Sequence, residues 1–323
     1  MASSTMHVVT PVIESRIISH LVNKKVFLKL DNCQPSGSFK MRGVGLACKR
    51  AVDRGAKQLV SSSGGNAGLA VACSARMLGI PATVFIPETS PTYMRDRLEL
   101  EGVQVNVTGK VWAEAHGAAM AFLDKANETS KAAYIHPFDH PDIVEGHSSV
   151  IAELKTQLSE QPDLILVAVG GGGYFAGVCH GLKEQGWGST RVLAMETYGA
   201  NKLEQSMQRG EKVTLAKIDT FAKSLGAMAV SDAAFTAAKE MKVHARSVSD
   251  DEAFQACVRF ANDHKFLVEP ACGTALAPLY AGKLREFLGE EYDKVNSICV
   301  LVCGGLMSSI PEEMHAALRP MYN

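Results

Sequence analysis

The sequence predicts an α/β protein built on mostly parallel, doubly wound sheets, and three observations carry that prediction. Short β-branched or apolar runs alternate with longer helical patterns along all 323 residues, the pattern of repeated βαβ units. Runs such as LILVAV at 164–169 are apolar without alternation, as strands covered on both faces are. Loops rich in glycine and serine follow several of these strands, where open α/β sheets place their ligands.

Strands are expected at Val26–Leu30, Gln58–Ser61, Ala82–Ile86, Val103–Val107, Leu164–Val169, Arg191–Met195 and Ser297–Val302, each a short run with the composition of a strand. Helices are expected at Asn66–Leu78, Trp112–Asn127, Ile143–Leu158 and Asp250–His264. In the first of these Leu69, Ala70, Cys73 and Met77 share a face, and Gly79 followed by Pro81 ends it. No internal repeat, low-complexity stretch or linker divides the chain, although its length suggests about two domains.

Hydrophobic residues make up 46% and charged residues 21%, as in an ordinary globular protein. The net charge of −1 leaves no broad field to attract nucleic acid or anionic lipid. Met1–Val9 lacks the basic start and apolar run of a secretion signal, and no apolar stretch is long enough to cross a membrane. The eight cysteines, at 33, 48, 73, 179, 257, 272, 299 and 303, form no CxxC pair. That excludes a zinc ribbon or disulfide framework and fits a reducing cytoplasm. His136, His140 and His147 are interrupted by Pro137 and Pro141, so they share no helical face on which to hold a metal.

Three loops carry chemistry. Asp31-Asn-Cys-Gln-Pro-Ser-Gly-Ser-Phe-Lys40 leads from a strand into a helix that Ser36 or Ser38 could cap. Lys40 then falls in the first helical turn, where the dipole disfavours a cation. With Arg42 nearby, that field would lower the amine's pKa and suit a nucleophile or base; taken alone, a solvated surface lysine is the better reading. Ser61-Ser-Ser-Gly-Gly-Asn-Ala-Gly68 leaves backbone N–H groups bare ahead of a helix, a cradle for a carboxylate or a plain turn and cap. Gly170-Gly-Gly-Gly173 lies directly between LILVAV and a helix starting near Tyr174. Four glycines in a row cost conformational entropy, and close approach of a phosphate to their N–H groups is the best reason for them. The same run also matches GxGxxA through Gly171–Ala176, with Glu196 after the next strand, as in an NAD site. That reading leaves the other two loops without a role.

SGSFK at 36–40, SSGGNAG at 62–68, GGGG at 170–173 and VCGG at 302–305 together resemble the fold-type II pyridoxal phosphate enzymes, whose fold is similar to that of the tryptophan synthase β subunit. PFDHP at 137–141, EGH at 145–147, AMET at 194–197, AKSLGA at 222–227 and VEPACG at 268–273 resemble the mammalian-type L-serine/L-threonine dehydratases. GKVWAEA at 109–115 is similar to their serine dehydratase-like branch. The resemblance implies two open-sheet domains, a large cofactor-binding one of 1–34 with 140–323 and a small one of 35–139. It further implies a cytoplasmic homodimer of amino-acid breakdown and gluconeogenesis that acts on a small amino acid.

By that resemblance Lys40 is the Schiff-base lysine, Phe39 packs on one face of the cofactor ring and Ala222 lines the other. Asn66 would bond the ring's 3-oxygen, Gly170, Gly171, Gly172 and Gly173 would hold the phosphate, and Cys303 would face the pyridine nitrogen. Ser62, Ser63, Gly64, Gly65 and Ala67 match the positions that bind the substrate carboxylate. Gly170, Glu196, Ala200, Leu225 and Ala227 match those around a monovalent cation, potassium or sodium, although Glu196 also reads as a buried structural carboxylate.

The implied reaction is loss of water, then ammonia, from serine or threonine, with Lys40 as general base. A neutral thiol at 303 cannot hold a pyridinium as a carboxylate would, which favours rapid elimination over transamination. Related serine racemases carry a serine where this chain has Gly64, so little racemisation is expected. Two other classes stay open on residues alone: an NAD-dependent oxidoreductase, and a cofactor-binding protein with little catalysis.

Overall fold

A computed structural model of the protein describes residues 5–129 and 131–307. Residues 1–4 of the N-terminal stretch read above, and 308–323 of the expected large domain, lie outside these. In chain order the elements are β1 (Val12–Glu14), α1 (Arg16–Val22), β2 (Lys25–Leu30), α2 (Lys40–Asp53), β3 (Gln58–Ser61), α3 (Asn66–Leu78), β4 (Ala82–Ile86), α4 (Thr92–Leu100), β5 (Gln104–Val107), α5 (Trp112–Thr129) and β6 (Ala132–Tyr134). There follow α6 (Pro141–Gln157), β7 (Leu164–Ala168), α7 (Gly173–Glu184), β8 (Arg191–Thr197), α8 (Lys202–Arg209), α9 (Asp232–Glu240), β9 (Val243–Val248), α10 (Asp250–His264), α11 (Pro270–Tyr280), α12 (Leu284–Leu288) and β10 (Ser297–Val302).

All the expected strands and helices form, and the α/β class with parallel sheets holds. Met77 departs from its expected face: it is 44% exposed, while Leu69, Ala70 and Cys73 are buried. Three short strands were not expected. β1 and β6 have three residues each, and VHARSV of β9 mixes charge into an edge strand. α10 is closed at its start by a capping box, with Ser249 and Glu252 each bonding the other's backbone, worth about 1 kcal/mol.

The contacts divide the chain into two compact units, one of residues up to Val8 with Gln34–His147, the other of Val9–Cys33 with the chain from Ser148 onward. In the first, four parallel strands lie in the order β5-β4-β3-β6. Phe85, Val60, Ala115 and Ala119 form a core cluster beneath α5. Glycines bring α2 against the start of α6: a Cβ on Gly43 would lie 2.5 Å from the Ile143 carbonyl oxygen, and one on Gly146 equally close to that of Arg42. Residues 140–147 therefore pack with this unit. The chain runs β3, β4, β5 outward and then returns to place β6 on the other side of β3. Open α/β sheets bind ligands at such a reversal, beyond the carboxyl ends of the strands.

In the second unit six strands lie in the order β1-β2-β10-β7-β8-β9, and only the edge strand β1 is antiparallel. α11 is buried along its whole length beside this sheet. Here the order reverses between β7 and β10. Val302 pairs with Leu30, and Ala168 with Met195, so Asp31, Cys303, Val169 and Glu196 all emerge at the same carboxyl edge.

Candidate active site

In the first unit Lys40 opens α2, and its cap residue is Phe39, which makes no side-chain capping bond. The hydroxyl cap expected from Ser36 or Ser38 is not formed. Ser38 accepts the Met41 N–H through its backbone carbonyl at 3.2 Å, and the Ser36 hydroxyl donates to that same carbonyl group. A turn with Gly37 at φ +75°, closed by its N–H to the Gln34 carbonyl, delivers the chain to the helix with its carbonyls in place of its hydroxyls. The Ser38 hydroxyl is left buried without a hydrogen-bond partner.

Lys40 Nζ donates to the Pro137 carbonyl at 2.6 Å and lies 5.2 Å from the centre of the Phe39 ring. Pro137 follows β6, so the lysine meets the sheet at its reversal. The Pro137 turn is held by His136, whose Nδ1 accepts the N–H groups of Phe138 (3.2 Å) and Asp139 (2.7 Å). Burial lowers the His136 pKa, with the charge of Lys40 helping and Asp139 opposing. His147, whose ring centre is 5.2 Å from that of Phe39, is held well below the usual imidazole range by burial and then by Lys40 and Arg42. Two neutral imidazoles therefore flank the lysine. His140 Nδ1 accepts from the Asp142 N–H, and among the described residues no group of three metal-ligating side chains is placed to hold an ion.

The serine-glycine loop follows β3. The Ser62 hydroxyl is buried, 2.7 Å from the Tyr134 hydroxyl and 3.2 Å from His116 Nδ1. His116 in turn stacks on Trp112. Burial raises the Tyr134 pKa against the effect of Ser62, so the phenol stays protonated. Neither Tyr134 nor His116 was foreseen, because they reach Ser62 from β6 and α5. Ser63, Gly64 and Gly65 are half-buried, and Asn66 and Ala67 are buried in the first turn of α3. Gly65 caps α3 without a side-chain bond, and the start of a helix suits an anion. Gly68 is required here: a Cβ would fall 1.8 Å from the Ser63 carbonyl oxygen.

The second unit holds the other expected residues. The glycine loop follows β7, and Gly172 precedes α7 with φ +91° and no side-chain capping bond. Its missing Cβ would lie 2.4 Å from that of Ala234. The Gly171 carbonyl accepts the Ser231 N–H at 3.0 Å. Bare amides and the positive end of a 12-residue helix fit a phosphate. Tyr174 anchors this helix by donating to Asp31 at 2.7 Å. Ala222 packs with Ala200, Leu225 and Ala271. Cys303, just after β10, is buried, and its thiol is pushed well up by a hydrogen bond with Cys272 and by burial. It is therefore an uncharged group.

Glu196 is fully buried, and its two oxygens accept the N–H groups of Leu203 (3.1 Å) and Glu204 (2.9 Å). Those amides belong to the first turn of α8, so the carboxylate caps that helix from seven residues upstream. An NAD ribose has no free carboxylate to meet there. Ala200, Leu225 and Glu196, three of the five residues expected around a cation, converge on the Nζ of Lys202, a residue sequence reasoning missed. A lysine at a helix start, the oddity that marked Lys40, was the available signal. Gly170 and Ala227 are not among its hydrogen-bond partners.

A family model described as pyridoxal-phosphate dependent enzyme matches residues 4–304. The chain is 45% identical to human "Serine dehydratase-like" over 301 residues, covering 93% of this chain and 90% of that protein. It is 42% identical to human "L-serine dehydratase/L-threonine deaminase" over 314 residues, with 97% and 95% covered. Among solved structures, a fungal L-serine ammonia-lyase from Rhizomucor miehei superposes with a TM-score of 0.90 at 35% identity, over 97% of this chain and 99% of that one. The fold is that of the fold-type II enzymes. A match over nearly the whole length, together with a lysine, a serine-glycine loop and a glycine loop each following a strand, means that this chain belongs to the pyridoxal-phosphate dependent enzyme family.

Proposed function

We propose that this protein is a pyridoxal phosphate-dependent ammonia-lyase that converts L-serine to pyruvate and ammonia, and L-threonine to 2-oxobutanoate and ammonia. The observation that carries the reading is Lys40, held with its nitrogen 2.6 Å from the Pro137 carbonyl at the sheet reversal and flanked by neutral imidazoles. Relatives named for serine and threonine deamination support it.

The bound cofactor supplies an electron sink for the charge left when an α-proton departs. The protein's residues do the rest. Lys40 would hold the cofactor through its amine, and the same amine is the group placed to take the α-proton as general base. The amides of Gly170–Gly173 would hold the phosphate, and Ser62, Ser63, Gly64, Gly65 and Ala67 would hold the substrate carboxylate. Asn66 would bond the ring oxygen, and Phe39 and Ala222 would line the ring faces. Cys303, an uncharged thiol, would be the partner of the ring nitrogen and could not fix a proton there as a carboxylate would, which favours elimination. We read the protein further as a homodimer, and as cytoplasmic in keeping with the absence of disulfides among the described residues.

Steady-state assay of oxo acid and ammonia is expected to show equal yields of both from L-serine and from L-threonine. A holoenzyme that turns over neither would overturn the reading. Gly64→Ser is expected to add D-serine formation, because it puts a proton-carrying hydroxyl in the carboxylate loop. Its Cβ would meet the Ser90 hydroxyl at 2.8 Å and Ile86 at 3.1 Å, so Ser90 must turn aside and elimination should slow a few-fold at the same time. Unchanged D-serine output on chiral chromatography would count against it.

A further inference from the structure

Lys202, the first residue of α8, is fully buried. Four oxygens surround its nitrogen: the carbonyls of Ala200 at 2.8 Å, Leu225 at 3.1 Å and Val169 at 3.2 Å, and the carboxylate of Glu196 at 3.1 Å. They come from separate stretches of the second unit. Val169 links β7 to the glycine loop, Glu196 lies on β8, Ala200 follows β8, and Leu225 belongs to the turn just after Ala222.

The three carbonyls can only accept hydrogen bonds; burial pushes the Glu196 carboxyl up, while the charge of Lys202 and the amide N–H groups from α8 that its two oxygens accept favour the ionised form. The nitrogen that meets these four acceptors is therefore an ammonium, with three protons to share. Carbonyls together with a carboxylate make the shell that a hard cation takes from a protein. Here the chain's own side chain fills it. A potassium or sodium ion in the same shell would stand against a like charge at contact distance, with one carboxylate between two cations.

We propose that Lys202 supplies from within the chain the monovalent cation that this oxygen shell calls for, so that the protein neither binds nor requires potassium or sodium there. Lys202 acts as a positioning residue. Its ammonium ties the end of β7, and with it the phosphate-binding glycines, to the 222–227 turn: a Cβ on Gly170 would already lie 2.9 Å from the Ser224 carbonyl oxygen. The role does not rest on the choice of substrate, since occupancy of the shell can be read without turnover.

The test is to exchange the holoenzyme into tetramethylammonium chloride and titrate potassium or sodium chloride at constant ionic strength, following thermal unfolding and the rate of oxo acid formation. For wild type both readouts should stay flat. A saturable rise in melting temperature with potassium or sodium, absent with tetramethylammonium, overturns the proposal whatever the rate does. Lys202→Ser empties the shell while leaving its oxygens in place. This variant should melt lower in tetramethylammonium and lose rate by about tenfold or more, within the usual range of coupling between sites, and potassium should restore both. Lys202→Met fills the space with an apolar chain and should be destabilised without rescue. A folded Lys202→Ser protein indifferent to every cation overturns the proposal, and should that variant not fold, the wild-type titration decides alone.

Discussion

Replacing Lys40 by alanine is expected to abolish the absorption band at about 410–420 nm that a lysine-joined pyridoxal cofactor gives, and to lower the deamination rate by on the order of 10³-fold or more. The two losses have one cause, because the same nitrogen holds the cofactor and takes the proton. Lys40→Arg separates this role from a structural one. Arginine keeps a positive donor for the Pro137 carbonyl, now met by Lys40 Nζ at 2.6 Å, but stays protonated and cannot form the imine. The arginine variant should therefore melt close to wild type while remaining as inactive as the alanine variant. A coloured, active Lys40→Ala protein would remove the basis of the proposed function.

Gly172→Ala is expected to damage stability and cofactor binding together. At φ +91° an alanine carries about 1–2 kcal/mol of left-handed strain, and its Cβ would lie 2.4 Å from the Ala234 Cβ, which adds about 1–3 kcal/mol of overpacking. The sum, about 2–5 kcal/mol, corresponds to a fall in melting temperature of roughly 5–15 °C. The loop amides must move to relieve the contact, so the cofactor affinity should drop at least about tenfold, for which some 1.4 kcal/mol suffices. Gly79→Ala is the control: it has φ +67° with nothing within 4 Å of the added carbon, so it carries the strain without the clash. Cofactor titration by absorbance and thermal unfolding check both variants, and equal behaviour of the two would show that the contact with α9 is unimportant.

Most of the fold was legible because its signals are local. β3, β4, β10, α3 and α10 form with the bounds read from pattern alone, since apolar runs and end signals such as Gly79 act within a turn or two. α11 escaped because it is apolar on every side, and a helix with no polar face has no periodicity to read. The glycine loop was legible for the same reason as the strands: bare backbone at the end of β7 has few structural uses.

By itself, then, the sequence determined the α/β architecture, the three loops that follow strands and the identity of the lysine, serine, glycine and cysteine residues placed on them. The tertiary structure alone decided what each residue meets. Pro137 comes to Lys40 across 97 positions, Tyr134 to Ser62 across 72, and Cys272 to Cys303 from the fully buried α11. The shell around Lys202 was the least visible of these. Three of its four oxygens are backbone carbonyls, and a carbonyl is chemically the same whatever residue bears it, so only folding can give it an address.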